Sequence, residues 1–152
     1  MTYRQIIKTL EAIALTQPNI RTTGYGKLYE EMNAAPSINW DVFYITPAQF
    51  QSEGDEGFTR YGLNLFYISR LENVDGDNML QIQSIGRELL KNIVNTFCEL
   101  TDSEIYGTTI WQCFTQRFGD LAAGLYCTII LEVPDDSICP EYFEDEEEQE
   151  NG

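Results

Sequence analysis

Apolar residues at Tyr3, Ile6, Ile7, Leu10, Ile13 and Ala14 recur at three- and four-residue steps, with Arg4, Lys8 and Glu11 between them. That period puts them on one face and predicts a helix over residues 3–15. Thr2 stands where an N-cap is needed, and Pro18-Asn19 stops the run. A second stripe, Ile82, Ile85, Gly86, Leu89, Leu90, Ile93 and Phe97, turns with the same period, while Gln83, Arg87, Glu88 and Lys91 face away. It predicts a helix over residues 79–97. Glycine inside such a stripe costs about 1 kcal/mol against alanine, so Gly86 points to a close approach to a neighbouring sheet.

Elsewhere the period is two. Residues 40–46 are rich in β-branched and aromatic side chains, and Pro47 marks the strand's end or an edge position. Residues 58–70 alternate, with Tyr61, Leu63, Leu65 and Tyr67 on one face and Phe66 and Ile68 on the other. The acidic, glycine-containing stretch Ser52–Gly57 between them reads as the tip of a hairpin. A second hairpin follows the long helix. Thr108–Phe118 alternates, Gly119-Asp120 breaks the pattern, and Leu121–Val133 is largely apolar up to Pro134. Residues 73–78 and 99–107 read as turn and loop, and 19–39 as a long loop with an extended piece near 20–23 and one helical turn near 28–32. The order helix, hairpin, helix, hairpin predicts an α+β fold. Its expected form is a four-stranded antiparallel sheet with the N-terminal and central helices packed on one face. Residues 1–134 form the expected single domain, and 135–152 an acidic, flexible C-terminal tail.

The charge is uneven. The 152 residues carry a formal net charge of -16. Nine of the acids follow Pro134 with no base among them, and taking those nine away leaves -7 for residues 1–134. A basic face for nucleic acid is not expected, because phosphate neutralisation needs clustered Lys and Arg. No apolar run approaches the length of a membrane span. The absence of a secretory leader pattern and the cysteine usage fit a reducing cytoplasm.

Chemistry-bearing patterns are sparse. The chain has no histidine, which closes Ser-His, Cys-His and mixed Cys/His zinc arrangements. Cys98, Cys113, Cys127 and Cys139 show no paired spacing, and Cys113 and Cys127 fall within strands, where burial as small hydrophobes is expected. Gly24-Tyr25-Gly26-Lys27 lacks phosphate-loop spacing and joins no clear strand to a helix, so it reads as a turn. Asp75-Gly76-Asp77-Asn78 lacks the calcium-loop pattern and reads as turn and helix cap. No catalytic, cofactor or metal residue is expected, and no enzymatic activity. In the acidic run, Tyr142, Phe143, Glu144 and Asp145 are candidates for docking on a partner, because aromatics are uncommon in a purely solvating tail.

Three stretches carry a resemblance: FTQRFGDLAAGLYCTIILEVPDDSICP (Phe114–Pro140), IRTTGYGKL (Ile20–Leu28) and VFYITPAQF (Val42–Phe50). Together with the element order over residues 1–140, they resemble the tail-terminator and tail-completion proteins of tailed bacteriophages and the related neck-ring proteins of crAss-like phages. The resemblance implies a structural virion protein that forms a homo-oligomeric ring, six- or twelve-fold, between portal and tail. Its implied partners are other copies of itself, the portal or adaptor and tail proteins, and genomic DNA passing through the lumen without specific binding. The implied location is the virion neck or tail, after assembly in the host cytoplasm. On that reading the acidic tip residues Glu53, Asp55 and Glu56 face the ring lumen, where they repel phosphate. The competing readings are a soluble, non-catalytic protein-binding adaptor and, with least support, a small enzyme.

Overall fold

Thr2 closes the first helix from its N-terminal end. In the computed structural model its hydroxyl accepts from Gln5 N at 3.1 Å, and Gln5 Oε1 accepts from Thr2 N at 2.8 Å, a reciprocal capping box. The structure describes residues 1–34, 37–53, 57–72, 76–118 and 120–140. They form α1 (Tyr3–Leu15), β1 (Thr22–Tyr25), α2 (Leu28–Ala34), β2 (Val42–Glu53), β3 (Phe58–Arg70), α3 (Gly76–Thr101), β4 (Glu104–Ile105), β5 (Ile110–Phe118) and β6 (Asp120–Pro134).

The strands make one six-stranded mixed sheet, in the order β1-β2-β3-β6-β4, with β5 also paired to β6. The two predicted hairpins are its centre: β2 runs antiparallel to β3, and β5 to β6. β3 and β6 pair along their lengths, from Phe58↔Pro134 to Arg70↔Ala122. β4 and β5 lie along the same side of β6, at Glu132 to Leu131 and at Thr128 to Asp120.

Alternation along the strands decides the two faces. Leu63, Leu65 and Tyr67 of β3 and Leu125, Cys127, Ile129 and Leu131 of β6 join the main core with α1 and α3. Ile6, Leu10, Leu90, Ile93 and Phe97 are fully buried there, each worth about 1.5–3 kcal/mol of apolar burial. On the opposite face Val42, Tyr44, Phe66, Ile68 and Ala122 pack with Leu28 and Met32 of α2.

The α+β class holds, but the expected four-stranded antiparallel sheet with helices on one face does not. The sheet has six strands, and β1 pairs with β2 in parallel, Thr22↔Val42 to Tyr25↔Ile45. A third helix, α2, covers part of the other face. Elements of four and seven residues are too short to display a period, so residues 19–39 looked like loop. Pro47 does not end its strand, but the alternative of an edge position holds, because β1 pairs with β2 only as far as Ile45. β2 continues to Glu53 across a register shift between Pro47 and Gln51, which accommodates a residue that has no N–H to donate. The long helix starts three residues earlier and ends four later than the predicted range 79–97. Gly86 does bring it against the sheet: a Cβ there would lie inside 3.0 Å of Leu125 Cδ2 and Tyr67 Cδ1. Of the two strand cysteines, Cys127 is buried, but Cys113 is exposed, because it sits on the outermost strand.

Candidate functional site

β5 is an edge. β6 occupies one of its sides, and among the described residues no strand pairs with the other. Every second residue of this nine-residue strand therefore turns its backbone N–H and C=O to the unpaired side. Natural edges are commonly blunted by lysines, prolines or short length. This one, Ile-Trp-Gln-Cys-Phe-Thr-Gln-Arg-Phe, carries Arg117 as its single charge and no proline. Ile110 is 57% exposed, and Ile105 and Tyr106 are exposed beside it. The opposite edge, β1, is four uncharged residues long, with Tyr25 exposed.

Two polar arrays lie on the sheet face that α2 leaves open. Asn64 links three strands: its Nδ2 donates to Thr46 Oγ1 at 3.2 Å, and its Oδ1 accepts from Thr128 Oγ1 at 2.7 Å. Further along the same face, Arg60 Nε donates to Glu132 Oε2 at 2.9 Å, and the Tyr106 ring covers its guanidinium at 3.6 Å. This pair is half-buried and its charges cancel, so it clamps β3, β6 and the β4–β5 connection rather than presenting charge.

The hairpin tip and the exit from β6 meet at one end of the sheet. Asp135 N donates to Gly57 O at 2.8 Å, and Thr59 Oγ1 donates to Asp135 Oδ1 at 2.6 Å. Of the candidate lumen residues, Glu53 closes β2 with its backbone opposite Thr59; Asp55 and Glu56 lie outside the described residues. Tyr142, Phe143, Glu144 and Asp145 also lie outside them. Up to Pro140 the chain after β6 is tied to the body. Ser137 Oγ donates to Thr101 O at 2.8 Å, Ser137 O accepts from the N-terminal ammonium at 2.8 Å, and Cys139 is buried.

Compared with known proteins, the chain matches no protein-family model and no curated sequence.

The titrating groups with clear shifts are all pushed toward the neutral form. Burial raises the Cys98 thiol to about 11, helped by the charge of Glu104, and raises Cys127 to about 12. A reactive thiol needs the opposite shift. Burial also raises Tyr3, Tyr44 and Tyr67, and each is further held protonated by a hydrogen bond, to Tyr25, Glu31 and Asp41 respectively. Asp41 fastens β2 to β3, accepting from Tyr67 Oη at 2.6 Å and from Ser69 Oγ at 2.5 Å. Among the described residues no three His, Cys, Asp or Glu side chains converge as metal ligands, and no helix is long and apolar enough to cross a membrane.

Gly24-Tyr25-Gly26-Lys27 does join a strand to a helix, contrary to the sequence expectation: Gly24 and Tyr25 close β1, and Gly26, at φ +120°, turns the chain into α2. The Glu31 carboxylate faces Gly26, and the Tyr44 hydroxyl donates to Glu31, so an acid occupies the place a phosphate would take. Sequence reading also missed a groove between α3 and the β4–β5 edge. Its volume is about 170 Å³, and Trp111 and Leu90 are among its lining residues. Only the register of β5 on β6, which sets Trp111 opposite Cys127, brings those residues together.

Proposed function

We propose that this chain is a structural virion protein that forms a homo-oligomeric ring in the neck or tail of a tailed bacteriophage. The ring joins portal to tail and lets DNA pass. The observation that carries the reading is the open β5 edge, nine residues long with a single charge. It lies at the opposite side of the sheet from the uncharged β1 edge. Two different edges on opposite sides suit a head-to-tail contact, and such a contact closes into a ring when its rotation divides the circle. The resemblance of Ile20–Leu28, Val42–Phe50 and Phe114–Pro140 to tail-terminator and neck-ring proteins supports the same assembly. In this reading Glu53, Asp55 and Glu56 face the lumen, next to the end of the sheet where Asp135 and Asp136 leave β6, and the acidic surface keeps DNA from adhering.

Quantitative mass spectrometry of nuclease-treated, gradient-purified phage particles tests it. The expected result is a fixed ratio to the portal protein, near one chain per portal chain or one per two. Absence from intact particles would leave the second reading, a soluble non-catalytic adaptor. The groove beside Trp111 favours that reading, since it has room for one or two side chains of a partner.

A further inference from the structure

The groove has a counterpart elsewhere on the chain. Leu90, Val94, Trp111 and Ile129 give the groove an apolar floor, and exposed Arg87 and Lys91, one helical turn apart on α3, stand at its rim. Arg87 lies over the Trp111 ring at 5.6 Å. Among the described residues neither cation pairs with a carboxylate, although the chain has 25 acids against nine Lys and Arg. The C-terminal end of α3 carries the reverse pattern. There Ile138 is 79% exposed, more than any other large apolar side chain described, and Leu100 is exposed as well. Both line a shallow hollow with Asp102 and Asp136, two exposed acids. Among the described residues neither acid pairs with a cation.

Ile138 is a knob held in place on both sides. Before it, Ser137 is hydrogen-bonded to Thr101 and to the N-terminal ammonium; after it, Cys139 is buried. Lys91 lies about 15 Å back along the helix from Thr101, and Ile138 is not among the residues lining the groove. The knob therefore stands away from the groove of its own chain, and only a second copy can bring the two together. Size and charge both match. An apolar cavity of about 150 Å³ holds a benzene-sized group, so a groove of about 170 Å³ admits one branched aliphatic side chain. Two carboxylates beside the knob answer two cations at the rim. We propose that Ile138 of one copy seats in the groove of the next, with Asp102 and Asp136 facing Arg87 and Lys91 across the contact. Knob and groove are different surfaces, so the contact is head-to-tail and repeats from copy to copy. It rests on the ring reading and gives that ring a side-chain lock next to the open edge, since Trp111 of the groove belongs to β5.

Charge exchange in the full chain tests this, with mass read by light scattering behind a sizing column. R87E/K91E makes the groove rim acidic. D102N/D136K makes the knob basic; asparagine is chosen because residue 102 sits at φ +56°, which Asn tolerates. All four positions are exposed, so the thermal midpoint of each variant is expected to stay within a few degrees of wild type. Wild type is expected as a ring and each variant alone as a monomer, a six- or twelve-fold fall in mass. Mixed one to one, the variants are expected to regain the wild-type mass, because alternating copies meet opposite charge at both of their contacts and either ring size is even. Variants that each assemble as wild type does overturn this contact and leave the ring reading standing. Variants that remain monomeric in the mixture also overturn it, since charge pairing is then not what they lost. Wild-type protein that is itself monomeric overturns the ring reading and this contact together.

Discussion

Two glycines set how closely the main layers approach. Gly86 lies where α3 meets β3 and β6, and the Tyr67 ring beside it is anchored through its hydroxyl to Asp41. Alanine at position 86 would gain about 1 kcal/mol of helix propensity. Its methyl would lie inside 3.0 Å of Leu125 and of the anchored ring, and overpacking of that kind costs about 1–3 kcal/mol. The packing term is the larger, so Gly86→Ala is expected to destabilise by about 1 kcal/mol. Gly124 faces Tyr67 O and Ile68 Cα, backbone atoms of the paired strand. They cannot yield without parting β3 from β6, so Gly124→Ala is expected to lose more, about 3 kcal/mol. Urea denaturation midpoints give the order directly, and a Gly86→Ala protein more stable than wild type would show that the layers have room. Gly86 was legible as a contact point from its place in an apolar stripe. The register that puts Gly124 on Tyr67 was not, because nothing local in Ala-Ala-Gly specifies its partner.

At the scale of elements, the proposed assembly turns on β5. Cys113 and Thr115 share one face of it and both are exposed, so lysines there meet no core. Like charges on an edge oppose strand addition by a second copy. C113K/T115K is expected to convert a wild-type ring to monomers, read by light scattering behind a sizing column, while the thermal midpoint moves by only about a few degrees, as for surface changes. Wild-type protein that stays monomeric under the same conditions would remove the edge from the argument. The elements legible in the sequence were those long enough to show a period: α1 with its capping threonine, α3, and the four long strands. β1 and α2 showed only in part, as an extended piece near 20–23 and one helical turn near 28–32, since their places come from pairing with β2 and from packing under Tyr44 and Phe66. Reading them as pieces of a loop, outside the sheet and its layers, is why the sheet was expected to be purely antiparallel and one-sided. The candidate lumen residues were chosen for their charge at a projecting hairpin tip, and the candidate docking residues for aromatic content within an acidic run. The Arg60–Glu132–Tyr106 clamp needs the β3–β6 register, which places Arg60 directly opposite Glu132.

For the whole molecule, the shifted groups give a direction to its response to alkali. Tyr3, Tyr44, Tyr67, Cys98 and Cys127 are neutral when protonated, and the fold raises all five, chiefly by burial. In an unfolded chain thiols release their protons near pH 8.5 and phenols near 10, whereas folded Cys98 and Cys127 hold theirs to about 11 and about 12. Between those limits the unfolded state binds fewer protons than the native state, so stability falls as pH rises. Below about pH 8 the contribution is fully present, because both states are protonated there. The net charge of -16 acts in the same direction, since each proton released adds to existing self-repulsion. The thermal midpoint is therefore expected to stay level from about pH 7 to 8 and then to fall steadily toward about pH 12. In C98A/C127A the fall should begin later, near the phenol range, even if the starting midpoint is lower through the small cavity at position 127. The discriminating quantity is thus the pH at which decline sets in. An onset unchanged by removing both thiols would mean that the tyrosines alone carry the alkaline transition.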